Sequence, residues 1–91
     1  MEWSVYILLS KKDLKTYCGS TNDLNRRLIE HNSGSVSSTK YRRPFEILYK
    51  ELFDNEKEAR EKERYYKTSS GRKKLKSIID QLIQISSGPP A

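Results

Sequence analysis

Residues 3 to 9, Trp-Ser-Val-Tyr-Ile-Leu-Leu, read as a strand with Trp3, Val5, Ile7 and Leu9 on one face and Ser4, Tyr6 and Leu8 on the other. Ser10-Lys11-Lys12-Asp13 is polar and turn-forming, and residues 15 to 20 (Lys-Thr-Tyr-Cys-Gly-Ser) make a second strand. The chain is therefore committed from its start to an antiparallel hairpin. That hairpin brings Tyr6, on the less apolar face, close to Tyr17.

A hairpin alone is not a stable sheet, and a third strand is needed. Residues 45 to 53 (Phe-Glu-Ile-Leu-Tyr-Lys-Glu-Leu-Phe) supply it, with Phe45, Ile47 and Tyr49 expected on one face. Between these strands, Thr21-Asn22-Asp23 offers N-caps for a helix over about residues 22 to 32, which Asn32-Ser33-Gly34 closes. Residues 33 to 43, rich in Ser, Thr, Lys and Arg, read as a mobile basic loop. After the third strand, Asp54-Asn55 caps a charged helix over about 56 to 68. Ser69-Ser70-Gly71 then reads as an interruption, before a last helix over about 72 to 85. Leu75, Ile78, Ile79 and Leu82, with Ile83 or Ile85, form its core stripe. The expectation is an α+β fold in the order β-β-α-β-α-α: one three-stranded antiparallel sheet with about three helices. It forms a single domain over residues 1–85, and residues 86–91 form a disordered tail.

Hydrophobic residues are only 34% of the 91 and charged residues 33%, with a net charge of +6. So ionic a surface points to a polyanionic partner. One cysteine cannot form an intramolecular disulfide, and no Cys/His cluster has the spacing of a zinc site. No segment reaches the length of a membrane span or looks like a secretion signal, so a soluble, cytoplasmic protein with no membrane partner is expected.

Helical phase selects among the charged side chains. At about 100° per residue Leu24, Arg27, Leu28 and His31 share one arc, whereas Arg26 points away. An arginine and a histidine in an apolar stripe are costly to bury unpaired, so they should line a cleft at its edge. Arg27 could instead pair with Glu30 or Asp23. In the second helix Glu63 shares an arc with Ala59, Tyr66 and Lys67, opposite Glu58 and Glu61. Glu56 is a weaker alternative two turns earlier. An ion pair of Glu63 with Arg60 or Lys67 would explain its position without chemistry.

The tripeptides Val5-Tyr6-Ile7 and Tyr17-Cys18-Gly19, the run from Tyr17 to Gly34 with Arg27 and His31, Ser38 to Pro44, and Glu58-Ala59 through Glu63 to Lys67 and Gly71-Arg72 together resemble the GIY-YIG nuclease domain. The resemblance covers roughly residues 3 to 76 and is nearest to its small stand-alone branch, similar to the nuclease domain of the excision-repair excinuclease. Val5 and Cys18 depart from the name-giving tripeptides at positions that would serve mainly backbone packing.

The resemblance implies a metal-dependent endonuclease acting on DNA ahead of RNA, in repair or recombination. The alternative is a basic nucleic-acid-binding module that keeps the fold and cuts weakly or not at all. Tyr6, Tyr17, Arg27, His31 and Glu63 are the implied catalytic set. Glu63 would hold one Mg2+ or Mn2+ ion, and Arg27 would hold the phosphate with forked hydrogen bonds. Tyr6 would be the general base beside Tyr17, or His31 would take the proton, its unperturbed pKa of about 6.5 suiting the task better. Gly19 would let a phosphate approach the site. Lys40, Arg42, Arg43, Lys67, Arg72 and Lys73 would contact phosphates without reading bases.

Overall fold

In the structure, a computed structural model that describes residues 2–87, the hairpin forms as expected. Strand β1 (Trp3–Ser10) pairs antiparallel with β2 (Thr16–Thr21), Tyr6 opposite Gly19 and Leu8 opposite Tyr17. The Ser10 hydroxyl accepts the Lys12 and Asp13 amides and so fixes the turn. Helix α1 (Leu24–Ser33) begins at Asp23, whose carboxylate accepts the Arg26 amide. It ends at Gly34, whose φ of 86° lies in the left-handed region that glycine adopts without penalty. A short 3-10 turn (Lys40–Arg42) leads into β3 (Phe45–Phe53), then α2 (Glu56–Tyr66) and α3 (Ser69–Ser87). The fold is α+β in the order β-β-α-β-α-α, with the sheet ordered β2-β1-β3.

Each face of the sheet carries its own core. Val5 and Ile7 pack against Ala59 and Tyr66 of α2 and Leu75 of α3, while Tyr6, Leu8 and Phe45 pack beneath Leu24 and Leu28 of α1. The sheet is thus covered on both sides, and its edge strand β2 lies between α1 and α2.

Four expectations change. A bulge between Ile7 and Leu8 pairs Leu8 with Ile47 and Ile7 with Tyr49, so Leu48 is the extra residue. Phe45 and Ile47 therefore share the α1 side, and Tyr49 crosses to the other, rather than all three sharing one face. The Ser69-Ser70-Gly71 segment is not a break but the first turn of α3, entered from Thr68, whose hydroxyl accepts the Gly71 amide. The helix continues through Ser86 and Ser87, which were expected in the tail; residues 88–91 lie outside the described residues. Of the α3 stripe, Leu75 is buried and Ile79 packs on the core, with Ile78 and Leu82 half-buried, whereas the expected Ile83 or Ile85 lies beyond the described side chains. Finally, the basic loop, expected to be mobile, is tied to the hairpin turn at its C-terminal end. The Arg42 carbonyl accepts the Ser10 hydroxyl, its guanidinium pairs with Asp13 at 2.8 Å, and Lys12 reaches the Tyr41 carbonyl.

Candidate active site

Gly19 and Tyr6 face each other across the hairpin, and a side chain at 19 would place its Cβ 2.5 Å from the Tyr6 hydroxyl. The missing side chain thus makes room for the phenol. The Tyr6 ring is 1% exposed, so its hydroxyl must find partners inside the protein. It finds two on α1, because positions 27 and 31 are one turn apart on the face that meets the sheet. Arg27 Nε donates to the Tyr6 oxygen at 3.4 Å, and His31 Nε2 lies 3.2 Å from it. Arg27 also pairs with Glu30 at 3.1 Å, so the charge partner expected as an alternative is present as well.

His31 is fully buried, and its second ring nitrogen lies 2.8 Å from the hydroxyl oxygen of Thr39, which is also fully buried. That hydroxyl has the Val36 carbonyl as its own acceptor at 3.4 Å. These partners admit one continuous proton order: with Thr39 donating to Val36, its oxygen accepts the His31 Nδ1 proton and Nε2 keeps a lone pair for the Tyr6 hydroxyl; with Thr39 donating to Nδ1, the His31–Tyr6 bond reverses. In the first case the line Arg27, Tyr6, His31, Thr39, Val36 carries every proton in one direction. Tyr17 packs its ring edge-on to His31 with centroids 4.9 Å apart and 6.3 Å from the Tyr6 ring, and it is only half-buried.

Burial governs the acidities. It pushes the Tyr6 phenol up to about 12, the Arg27 hydrogen bond opposing it only in part. Burial, and then the Arg27 charge, pull His31 down to about 4, so the ring is neutral at pH 7. The Arg27 guanidinium is held still more firmly protonated, first by its bond to Tyr6.

Glu63 approaches from the opposite side of β2. Alternation turns Tyr17 and Gly19 toward α1 but Cys18 and Ser20 toward α2. The Ser20 hydroxyl donates to Glu63 Oε1 at 2.5 Å, and Lys67 Nζ reaches Oε2 at 2.7 Å. Burial works against the Glu63 carboxylate, but the Lys67 and Ser20 hydrogen bonds outweigh it and the net shift is downward, so the group is ionised at neutral pH. The five residues therefore form two clusters that straddle one edge strand: Tyr6, Tyr17, Arg27 and His31 on one side, Glu63 on the other. The Lys67 pair foreseen as the alternative exists, and Arg60 pairs with Glu56 instead.

The basic residues divide in the same way. Arg42 is committed to Asp13 and stacks over Phe45, and Arg43 Nε donates to the Lys40 carbonyl, so both hold the loop. Lys67 and Arg72 line a groove beside β2, while Lys73 is exposed on α3 outside that lining. Sequence reasoning missed Thr39 and Ser20. Thr39 sits in an irregular Ser/Thr-rich stretch where no periodicity marks it. Ser20 could have been found, since strand alternation alone sets it opposite Gly19 and toward the helix of Glu63.

Among the described residues no three or more His, Cys, Asp or Glu gather into a multidentate metal cage. Glu63 with its Ser20 partner is instead a single hard-oxygen donor. It suits a cation that takes the rest of its shell from water and phosphate, once the exposed Lys67 ammonium swings aside.

The model of the GIY-YIG catalytic domain matches residues 2–76. A UPF0213 protein of Staphylococcus saprophyticus is 44% identical over 77 residues, covering 82% of this chain and 94% of that one. The UPF0213 protein YazA of Bacillus subtilis is 39% identical over 70 residues, 76% of this chain and 71% of its own. The solution structure of a UPF0213 protein from Bacillus halodurans superposes with a TM-score of 0.52 at 33% identity, over 86% of this chain and 85% of that one. The family match over most of the chain and these relatives show that the chain belongs to the GIY-YIG catalytic-domain family, among its small UPF0213 proteins.

Proposed function

We propose that the protein is a metal-dependent endonuclease that hydrolyses phosphodiester bonds in DNA, in repair or recombination. The observation that carries this reading is the hydrogen-bonded line from Arg27 through Tyr6 to neutral His31, facing a Glu63 carboxylate around the same edge strand. Arg27 is one-third exposed, so a guanidinium already oriented by Tyr6 still offers N–H groups to a phosphate. Tyr6 and His31 are both closed to water, which weighs against either meeting the attacking water directly. Half-buried Tyr17 would be the phenol that meets it, with the Tyr6–His31 pair fixing its surroundings. Glu63 would hold a divalent ion, which would acidify the water and neutralise the leaving oxygen. Lys67, released from Glu63, would turn to the phosphate backbone.

Nicking of supercoiled plasmid with Mg2+ or Mn2+ tests the reading on the native chain, Arg27→Ala and Glu63→Gln. Either substitution should slow nicking on the order of 100-fold or more. Equal nicking by all three would assign the activity to a contaminant. Salt-sensitive DNA retention without any cutting would instead favour the binding module.

A further inference from the structure

A groove of about 460 Å³ runs between the outer edge of β2 and helices α2 and α3, within the range of about 300–1,000 Å³ typical of small-molecule sites. Cys18, Tyr66, Leu75 and Ile79 contribute its apolar lining, and Tyr17 stands at the side shared with the candidate active site. Lys67, Arg72 and Lys76 supply the charge. Among the described residues no carboxylate lines the groove; Glu63, paired with Lys67, and Glu51 stand just behind its wall.

We propose that this groove seats an unpaired nucleotide of the substrate strand, with the base on the apolar lining and the flanking phosphates on Lys67, Arg72 and Lys76. An apolar surface edged by cations fits a ligand that is flat and apolar at one end and anionic at the other. A paired base offers only its edge, because its faces are covered by its neighbours in the stack, whereas an unpaired base can lay a face on half-buried Ile79 and Cys18, above the buried Tyr66 and Leu75. The groove also adjoins the catalytic groups: Lys67 belongs both to its lining and to the Glu63 pair at 2.7 Å. A nucleotide seated there lies next to the phosphate presented to Glu63. The substrate class that follows is nucleic acid with a single-stranded stretch beside the cut. The proposal rests on the nuclease reading only for the course of the strand past Glu63.

Binding without added metal separates the two readings. The probes are a fluorescent single-stranded oligothymidylate of about twelve nucleotides and an abasic oligomer with the same phosphates. Anisotropy should show the oligothymidylate binding about 10-fold tighter than the abasic oligomer, and Ile79→Ser should bring the two within about 2-fold. On the native chain, which needs no variant to fold, amide resonances of Cys18, Leu75 and Ile79 should move further with the oligothymidylate than with the abasic oligomer at equal saturation. Equal affinity of the two probes, or amides at those three positions that move no further with the oligothymidylate, would overturn the proposal. So would a polyglutamate peptide that moves them as far, since the groove would then take acidic peptide. Base-dependent binding by a native chain that nicks no DNA would remove the nuclease reading and leave the groove assigned.

Discussion

Thr39 holds the far end of the line that begins at Arg27, and if its hydroxyl donates to Val36 it fixes the His31 proton on Nδ1. Thr39→Val keeps the shape and leaves Nδ1 without a partner, which should cost about 1–3 kcal/mol of stability. It should also free the ring to change tautomer and slow nicking about 10-fold at unchanged KM. Thr39→Ser should restore both. Long-range nitrogen–proton spectra of the imidazole report the tautomer directly: native protein and Thr39→Ser should show Nδ1 protonated, and Thr39→Val a mixture. A single Nδ1-protonated form in Thr39→Val would show that Thr39 does not set the tautomer.

His31 also ties stability to pH. Its folded pKa of about 4 lies below the unperturbed value of about 6.5, because burial and then Arg27 disfavour the charged ring. As pH falls, the unfolded chain takes up the proton first. The contribution of neutral His31 is therefore complete above about pH 6.5 and is lost progressively toward pH 4, on the order of 3 kcal/mol in all. Urea unfolding at pH 7 and pH 4.5 should show the native chain losing more stability than His31→Gln. Equal losses would mean that the folded protein accepts the proton without difficulty.

The elements show where local rules were sufficient. Asp23 and Gly34 bound α1 because a cap and a left-handed C-terminus are local events, legible from a few residues. The same legibility extends to helical phase, which placed Arg27 and His31 beside Tyr6 and Glu63 toward the sheet. It failed at β3, because the bulge at Leu48 arises from pairing with β1 and nothing in the nine residues announces it. It failed again at Ser69-Ser70-Gly71, where a glycine read as a helix breaker answers a tertiary demand. A Cβ at Gly71 would lie 1.7 Å from the Tyr65 carbonyl oxygen, so α3 can start this close to the end of α2 only without a side chain there. Gly71→Ala gains helix propensity of about 1 kcal/mol, yet the clash with backbone should dominate and leave the protein about 3 kcal/mol or more less stable. Thermal unfolding decides it: an unchanged or raised Tm would show that the two helices part without cost. The straddling site was beyond sequence in the same sense, since Glu63 meets β2 through Ser20, a contact made 43 residues away in the chain.

At the scale of the molecule, the net charge of +6 becomes a prediction only once the cations are sorted by what already occupies them. Arg42 is held by Asp13 and Lys11 by Glu46, so neither is free to replace counterions on a phosphate backbone without first giving up a partner. Lys67 is likewise held by Glu63, which leaves Arg72 and Lys76 in the groove. If these two carry the strand, log affinity for single-stranded DNA should fall against log salt with a slope of about −1.4, two phosphates at about −0.7 each. Lys76→Gln should reduce that slope by about 0.7, and Arg42→Gln should leave it nearly unchanged while costing stability through the exposed loop. Anisotropy titrations from low to moderate salt measure both. A slope equally sensitive to Arg42 and to Lys76 would mean that charge acts through the whole surface rather than through the groove, and the path of the nucleic acid across β2 would have to be drawn again.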